Sequence, residues 1–154
     1  MFDGSAAEAA AAQDEELATA APKLSAAEAA IDVAALAASA VHNKVRAFET
    51  WPGAWIPLRL VGAAGDDVPA LRLKLLTTRV APADAAAKAK EAAVQEQQED
   101  PPPGTIAVVG KAAFVACQGG TWLELVEVQP TGKKPMPCAA WLNGWRGTMA
   151  VVVE

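Results

Sequence analysis

Residues 42–55, HNKVRAFETWPGAW, contain the change from helix to sheet around which the chain is organised. The first half of this stretch carries apolar residues at helical spacing together with two cations. Pro52 disfavours a helical conformation of the residue before it, and Gly53 allows backbone angles that other residues avoid. Trp51 and Trp55 stand on either side of this break. We predict that both rings pack a helix against a sheet.

Upstream of this break, the pattern predicts one amphipathic helix over residues 33–48, with Asp32 as its N-cap. Ser25 and Glu28 have the spacing of a capping box, which predicts a short helical turn before that helix. Residues 1–24 are rich in alanine and acidic side chains and have no apolar stripe, so we expect a poorly ordered linker with some helical character. The folded domain is therefore predicted to occupy residues 25–154.

Downstream of the break, the period changes to that of strands. Leucines at 71, 73 and 75 alternate with Arg72 and Lys74, which predicts a strand with one buried face and one positively charged face. Further short apolar stretches, separated by glycine turns, predict strands at 55–61, 104–109, 113–117, 122–128 and 149–153. Pro57 restricts the first of them to a sheet edge or to its own beginning.

These elements predict an α+β fold that is mostly β: a small open barrel of the OB type over residues 54–154, preceded by the single amphipathic helix. The alternation breaks near Leu75-Leu76 and Leu125-Val126, as it does in bulged barrel strands. Residues 81–103 are rich in alanine, lysine and glutamate and end in three prolines. They predict an exposed helical or disordered insertion.

The net charge is −5, but it is unevenly distributed along the sequence. Residues 1–32 carry a net −6 and residues 80–103 a net −3, whereas the remaining residues carry a net +4. The acidic side chains therefore lie in the segments predicted to be peripheral, and the predicted barrel is basic. This asymmetry is compatible with a polyanionic partner such as a nucleic acid, although the total charge argues against one.

The sequence argues against membrane, zinc-binding and histidine-based catalytic functions. No apolar run approaches the roughly 20 residues that cross a bilayer, and the N-terminal residues resemble no targeting segment, so we expect no membrane partner. Cys117 and Cys138 are predicted to be buried free thiols in a reducing compartment. One histidine and no cysteine cluster make a zinc site improbable. His42 has no readable nucleophile or carboxylate beside it, which favours a structural role.

Several blocks, in order, resemble the linker and C-terminal domain of the methionyl-tRNA formyltransferase family. The blocks are QD at 13–14, APKL at 21–24, ID at 31–32, NKVRAF at 43–48, WPG at 51–53, PGTI at 103–106, VQPTGKKPM at 128–136 and LNG at 142–144. The sequence departs from this family's pattern in two places. The turn at 117–120 lacks the aspartate that is common in the family, and the insertion at 81–103 is longer than is usual in the family.

This resemblance implies a barrel module that presents a positive surface to tRNA, beside a catalytic half that moves a formyl group from 10-formyltetrahydrofolate to Met on initiator tRNA. We expect the chain to lack that half, to bind no cofactor and to have no catalytic activity alone. We also expect a monomer, in the bacterial cytoplasm or inside a mitochondrion or chloroplast. Two alternatives stay open: the C-terminal module of another formyl-transferring or formyl-hydrolysing enzyme, and a detached protein-interaction module.

Phosphate binding requires several cations on one face with few acids among them. The predicted set draws on the helix, the alternating strand and the glycine turns. Each cation could instead simply solvate the domain, and the tryptophans could instead stack on unpaired bases. The predicted RNA-binding residues are Lys44, Arg46, Arg59, Arg72, Lys74, Lys111, Lys133, Lys134 and Arg146.

Overall fold

The computed structural model describes residues 18–62, 71–94, 101–144 and 148–152; at 60–62 and 148–152 only the backbone is described. Two elements, a two-residue strand and a helix of five residues, were not predicted from the sequence. In chain order the elements are α1 (Ala38–Ala47), β1 (Trp55–Gly62), β2 (Leu71–Val80), α2 (Ala83–Val94), β3 (Ile106–Val109), β4 (Ala112–Cys117), β5 (Thr121–Pro130), β6 (Met136–Pro137), α3 (Cys138–Leu142) and β7 (Thr148–Val152).

All strand pairs are antiparallel, in the order β3-β4-β5-β2-β1-β7, and β6 adds to β5. The two ends of this order, β3 and β7, contact each other, so the sheet curls into an open barrel. The predicted α+β, OB-like fold is confirmed. Pro57 lies in the part of β1 that pairs with β2 but not with β7, where its missing N–H breaks no ladder.

The sheet has two faces, which we call inner and outer. The inner face carries large aliphatic side chains such as Ile56, Leu73 and Leu123, all almost completely buried. Helix α1 packs on this side through Val41 and Val45. On each strand the outer face consists of the alternate residues.

Two bulges keep these faces consistent along β2 and β5. The pairing register shifts between Leu75 and Thr77, where Leu76 is unpaired, and again where Val126 of β5 is skipped. Without the extra residue in each strand, all side chains beyond the bulge would project from the opposite face of the sheet. The predicted breaks in alternation at Leu75-Leu76 and Leu125-Val126 are therefore confirmed as bulges.

The predicted start of the main helix is wrong: the helix covers Ala38–Ala47, not 33–48. Asp32 does cap, but it caps a separate turn, in which its Oδ1 accepts hydrogen bonds from the N–H groups of Ala34 and Ala35. The carbonyls that an earlier helix would need are used elsewhere, because the N–H of Gln118 donates to the carbonyls of residues 33 and 36. Ala38 donates its own N–H to Thr121 Oγ1 at 2.9 Å, which caps α1 from β5.

The segment before α1 agrees more closely with the prediction. A short 3-10 helix covers Ala26–Ala29, and the N–H of Ser25 donates to the carboxylate of Glu28 at 3.3 Å, as a capping box requires. Residues 18–25 have no regular secondary structure and are exposed. The rest of the predicted linker, residues 1–17, lies outside the described residues.

The insertion at 81–103 contains α2, which is not simply exposed. Ala89 is 0% exposed and lies in a second apolar cluster with Phe114 and Trp122 on the outer face. Alanine favours the helix, and Asp84 in the first turn complements the helix dipole. The small methyl side chains allow α2 to approach the sheet closely. As a result β4 is buried on both faces.

Candidate nucleic-acid interface

A cleft opens on the outer face where β1, β2 and the end of β5 meet. Trp55 of β1 pairs with Lys74 of β2, which pairs in turn with Gln129 of β5. Because directly paired residues share a face, these three side chains project to the same side. The full lining is Pro52, Gly53, Trp55, Arg72, Lys74, Gln129, Pro130, Thr131 and Gly132.

Two of the three cations of β2, Arg72 and Lys74, line this cleft. The guanidinium of Arg72 lies over the ring of Trp55, 4.5 Å from its centroid, a cation–π contact that fixes a long side chain. The side chain of Lys74 lies against Gly53, whose φ of +80° favours glycine. A Cβ at this glycine would lie 2.8 Å from Lys74 Nζ, so the absence of a side chain makes room for the ammonium group.

The turn after β5 is hydrogen-bonded to the backbone of β2 beside these cations. Thr131 donates two hydrogen bonds to the carbonyl of Arg72, from its N–H at 3.2 Å and from its hydroxyl at 2.9 Å. Gln129 Nε2 donates to the carbonyl of Lys133 at 2.9 Å. Lys133 and Lys134 are both exposed. The predicted residues Arg72 and Lys74 therefore line one cleft, and the predicted Lys133 and Lys134 lie in the turn beside it.

Two other predicted cations, Arg59 and Lys44, do not line this cleft. Arg59 is exposed on β1, and it projects from the outer face because Leu58 beside it is buried on the inner face. Lys44 of α1 donates from Nζ to the carbonyl of Ala30 at 3.1 Å, and Ala30 is bridged to Trp55. Part of the hydrogen-bonding capacity of Lys44 is thus used within the fold.

The other predicted cations are not brought to the cleft by any described contact. Arg46 is exposed in the last turn of α1. Lys111 is exposed in the turn between β3 and β4, and both β4 and β5 separate it from β2. Arg146 lies outside the described residues.

Among the described residues, no acidic side chain pairs with the cations in or beside the cleft. Within the described ranges, no carboxylate lies within 4.0 Å of the side-chain nitrogens of Arg72, Lys74, Lys133 or Lys134. Farther along the outer face, Arg79 pairs with Glu124 at 3.1 Å, so its charge is neutralised. Of the β2 cations, the two without an acidic partner among the described residues are therefore Arg72 and Lys74, at the cleft end of the strand.

Sequence reasoning assigned no role to Gln129 or Thr131, which position the cleft. Both fall in the VQPTGKKPM block, so the signal was present, but the strand pairing that places them beside β2 was not readable. The predicted packing of Trp51 is wrong, because its side chain is 59% exposed. Trp55 is half-buried, and one face of its ring is covered by Arg72.

The other reactive side chains are structural or buried. His42 Nδ1 forms a hydrogen bond with the hydroxyl of Thr78 at 3.0 Å, which links α1 to β2. Cys117 and Cys138 are free and buried, as predicted. Burial raises the pKa of the Cys117 thiol to about 12 and that of the Cys138 thiol to about 11, so both are protonated at neutral pH. Among the described residues, no helix is long and apolar enough to span a bilayer.

An OB-like barrel with a basic cleft on its outer face is the class of module that the fold and site define. The family model of the formyl transferase C-terminal domain matches residues 23–146. The chain therefore belongs to the formyl transferase C-terminal domain family, as the sequence resemblance indicated.

Curated relatives carry the name methionyl-tRNA formyltransferase. The chain is 34% identical over 132 residues to the one from Acidobacterium capsulatum, an alignment that covers 86% of this chain and 34% of the relative. It is 37% identical to the one from Thiobacillus denitrificans over 86% of this chain and 35% of the relative. For the one from Protochlamydia amoebophila the identity is 33%, with the same coverage. The chain thus spans about a third of the length of the curated relatives it matches.

Proposed function

We propose that this chain is the tRNA-binding module of a methionyl-tRNA formyltransferase. It binds the phosphate backbone of initiator tRNA, while a separate catalytic half transfers the formyl group from 10-formyltetrahydrofolate to Met. The chain itself contributes no catalytic residue and binds no folate. The observation that carries the proposal is the cleft in which Arg72 and Lys74 meet the Lys133-Lys134 turn without a described acid nearby.

The geometry suits phosphate contacts better than base readout. Arg72 is held by the Trp55 ring, so less of its side-chain entropy is lost when a phosphate binds, and Lys74 lies beside it in the cleft. Both project from the same face of one strand, and the two lysines of the neighbouring turn widen the positive surface. Contacts of this kind position a nucleic acid without reading its sequence. We expect weak binding that depends strongly on salt and little on sequence.

The test is a titration of labelled tRNA with the full chain at two salt concentrations. The logarithm of the affinity should fall with the logarithm of the salt concentration, with a slope of roughly −0.7 to −0.9 for each phosphate contact. The double variant Lys133→Ala/Lys134→Ala should bind more weakly and with a shallower slope, because up to two contacts are lost.

The matched control is Lys23→Ala/Lys88→Ala, which removes the same charge from two exposed lysines outside the predicted RNA-binding set. This control should bind like the unaltered chain. Affinity that does not respond to salt would contradict the proposal. Equal weakening by both double variants would mean that total charge, and not the cleft, determines binding.

A further inference from the structure

Trp51 is an unusual surface residue. Its side chain is 59% exposed, the largest exposed fraction among the large hydrophobic side chains of the described residues. It lies four residues after the end of α1 and precedes Pro52, which lines the cleft. An indole left in water at the rim of a binding cleft offers a flat apolar surface that the fold does not use.

A positively charged group lies against Gly53, two residues after this indole. The ammonium group of Lys74 lies against Gly53, where an added Cβ would be 2.8 Å from Nζ. Gly53 is two residues from Trp51, so their Cα atoms are at most about 7 Å apart. An exposed aromatic ring and a cation therefore lie at the same corner of the fold.

Trp55 contrasts with Trp51 in the same corner. One face of the Trp55 ring is occupied by the guanidinium of Arg72, and the residue is half-buried. That ring serves to hold a cation. Trp51 is left as the aromatic side chain of the corner that can receive a ligand.

We propose that Trp51 and Lys74 together bind one unpaired nucleotide, with the base stacked on the indole and the phosphate on the ammonium group. The inference rests on the proposed function and specifies its substrate class: RNA with an accessible unpaired base, not a continuous duplex. Bases in a duplex are already stacked on their neighbours, whereas an unpaired base has a free face for an aromatic side chain. Such stacking tolerates any base.

The experiment compares two RNA probes of equal length, an oligouridylate and a blunt duplex, by fluorescence anisotropy with the full chain. Trp51→Ala should weaken binding of the oligouridylate by roughly 5- to 150-fold, the range for loss of one stacked base. Binding of the duplex should not change. Trp51→Phe keeps an aromatic face and should restore most of the affinity.

The matched control is Val108→Ala, which removes another exposed large hydrophobic side chain, 48% exposed on β3. It should bind both probes like the unaltered chain. A second readout is intrinsic fluorescence: the oligouridylate should quench the unaltered chain, and Trp51→Phe should lose that quenching while it still binds. Lys74→Met should reduce the salt slope for the oligouridylate by about 0.7, one phosphate contact on a single strand.

Each other result overturns the inference in a recognisable way. Unchanged oligouridylate binding by Trp51→Ala, or equal losses on both probes, excludes base stacking at this residue. If Trp51→Ala lowers only the affinity for a separately prepared formyltransferase catalytic half, Trp51 contacts protein and not RNA. In these cases salt-dependent tRNA binding by the unaltered chain, weakened in Lys133→Ala/Lys134→Ala, would leave the proposed function standing. Absence of RNA binding by the unaltered chain would refute both.

Discussion

The two halves of the outer sheet face differ in what covers them. Over β3, β4 and the start of β5, the outer side chains are apolar, and α2 covers them through Ala89 and its neighbours. Over β1, the start of β2 and the end of β5, the outer side chains include Trp55, Arg72, Lys74 and Gln129, which line the cleft. We call these the covered half and the open half. One sheet thus uses the same face for stability at one end and for a cationic surface at the other.

The bulges explain how one strand can serve both halves. In β5, Trp122 contributes to the covered half and Gln129 to the open half, although they are seven positions apart and a regular strand would place them on opposite faces. The skipped residue Val126 corrects the parity. The outer face therefore stays continuous while its chemistry changes from apolar to cationic.

The largest expected effect of a substitution on stability lies in the covered half. Ala89→Leu adds a bulky side chain where α2 lies closest to the sheet, and overpacking of a full site costs about 1–3 kcal/mol. We expect this loss in the free energy of unfolding, measured with urea. RNA binding by the folded variant should be unchanged, because the open half is untouched.

The control for this substitution is Ala87→Leu, at an exposed position of the same helix. It adds the same volume toward solvent and should change stability little. Equal losses in the two variants would mean that α2 does not pack on the sheet as described. In that case the covered half would not exist as a distinct region.

A smaller effect on stability, with a separate effect on binding, is expected at Gly53 in the open half. Gly53→Ala and Gly110→Ala both introduce a side chain at positive φ, at +80° and +64°, which costs about 1 kcal/mol of stability each. Only at Gly53 would the new Cβ meet the Lys74 side chain; at Gly110 nothing lies within 4 Å. Gly53→Ala should therefore displace Lys74 and weaken tRNA binding, whereas Gly110→Ala should not.

Urea unfolding and tRNA titration of the two glycine variants separate the two contributions. Both variants should lose stability because of the positive φ, but only Gly53→Ala should lose affinity for tRNA. Weaker tRNA binding in Gly110→Ala as well would show that general loosening, and not the position of Lys74, controls affinity.

Local patterns in the sequence predicted most of the fold but not its long-range pairings. The alternation at 71–75 predicted the buried and charged faces of β2, and the broken alternation predicted both bulges, because each signal is local. The start of α1 was mispredicted because Thr121 and Gln118, far away in the sequence, cap it. The covering role of α2 was missed because an alanine-rich helix shows no large apolar stripe.

The residues of the candidate site were likewise predictable only where a local sequence pattern determines their position. Arg72 and Lys74 could be predicted to share a face, since alternation alone determines it. Their meeting with the Lys133-Lys134 turn depends on the pairing of β2 with β5, which no local pattern encodes. Trp51 was expected to pack, because aromatic residues beside a Pro-Gly break usually do, and only the three-dimensional structure revealed its exposure.

The central claim is that RNA binds the open half and not the covered half. The most direct test is to follow the backbone amide resonances of the full chain by NMR while tRNA is added. The largest changes should fall at residues 72–74 and 129–134, with little change across α2 at 83–94. Changes that are largest in α2, or that are spread evenly over both halves, would contradict it.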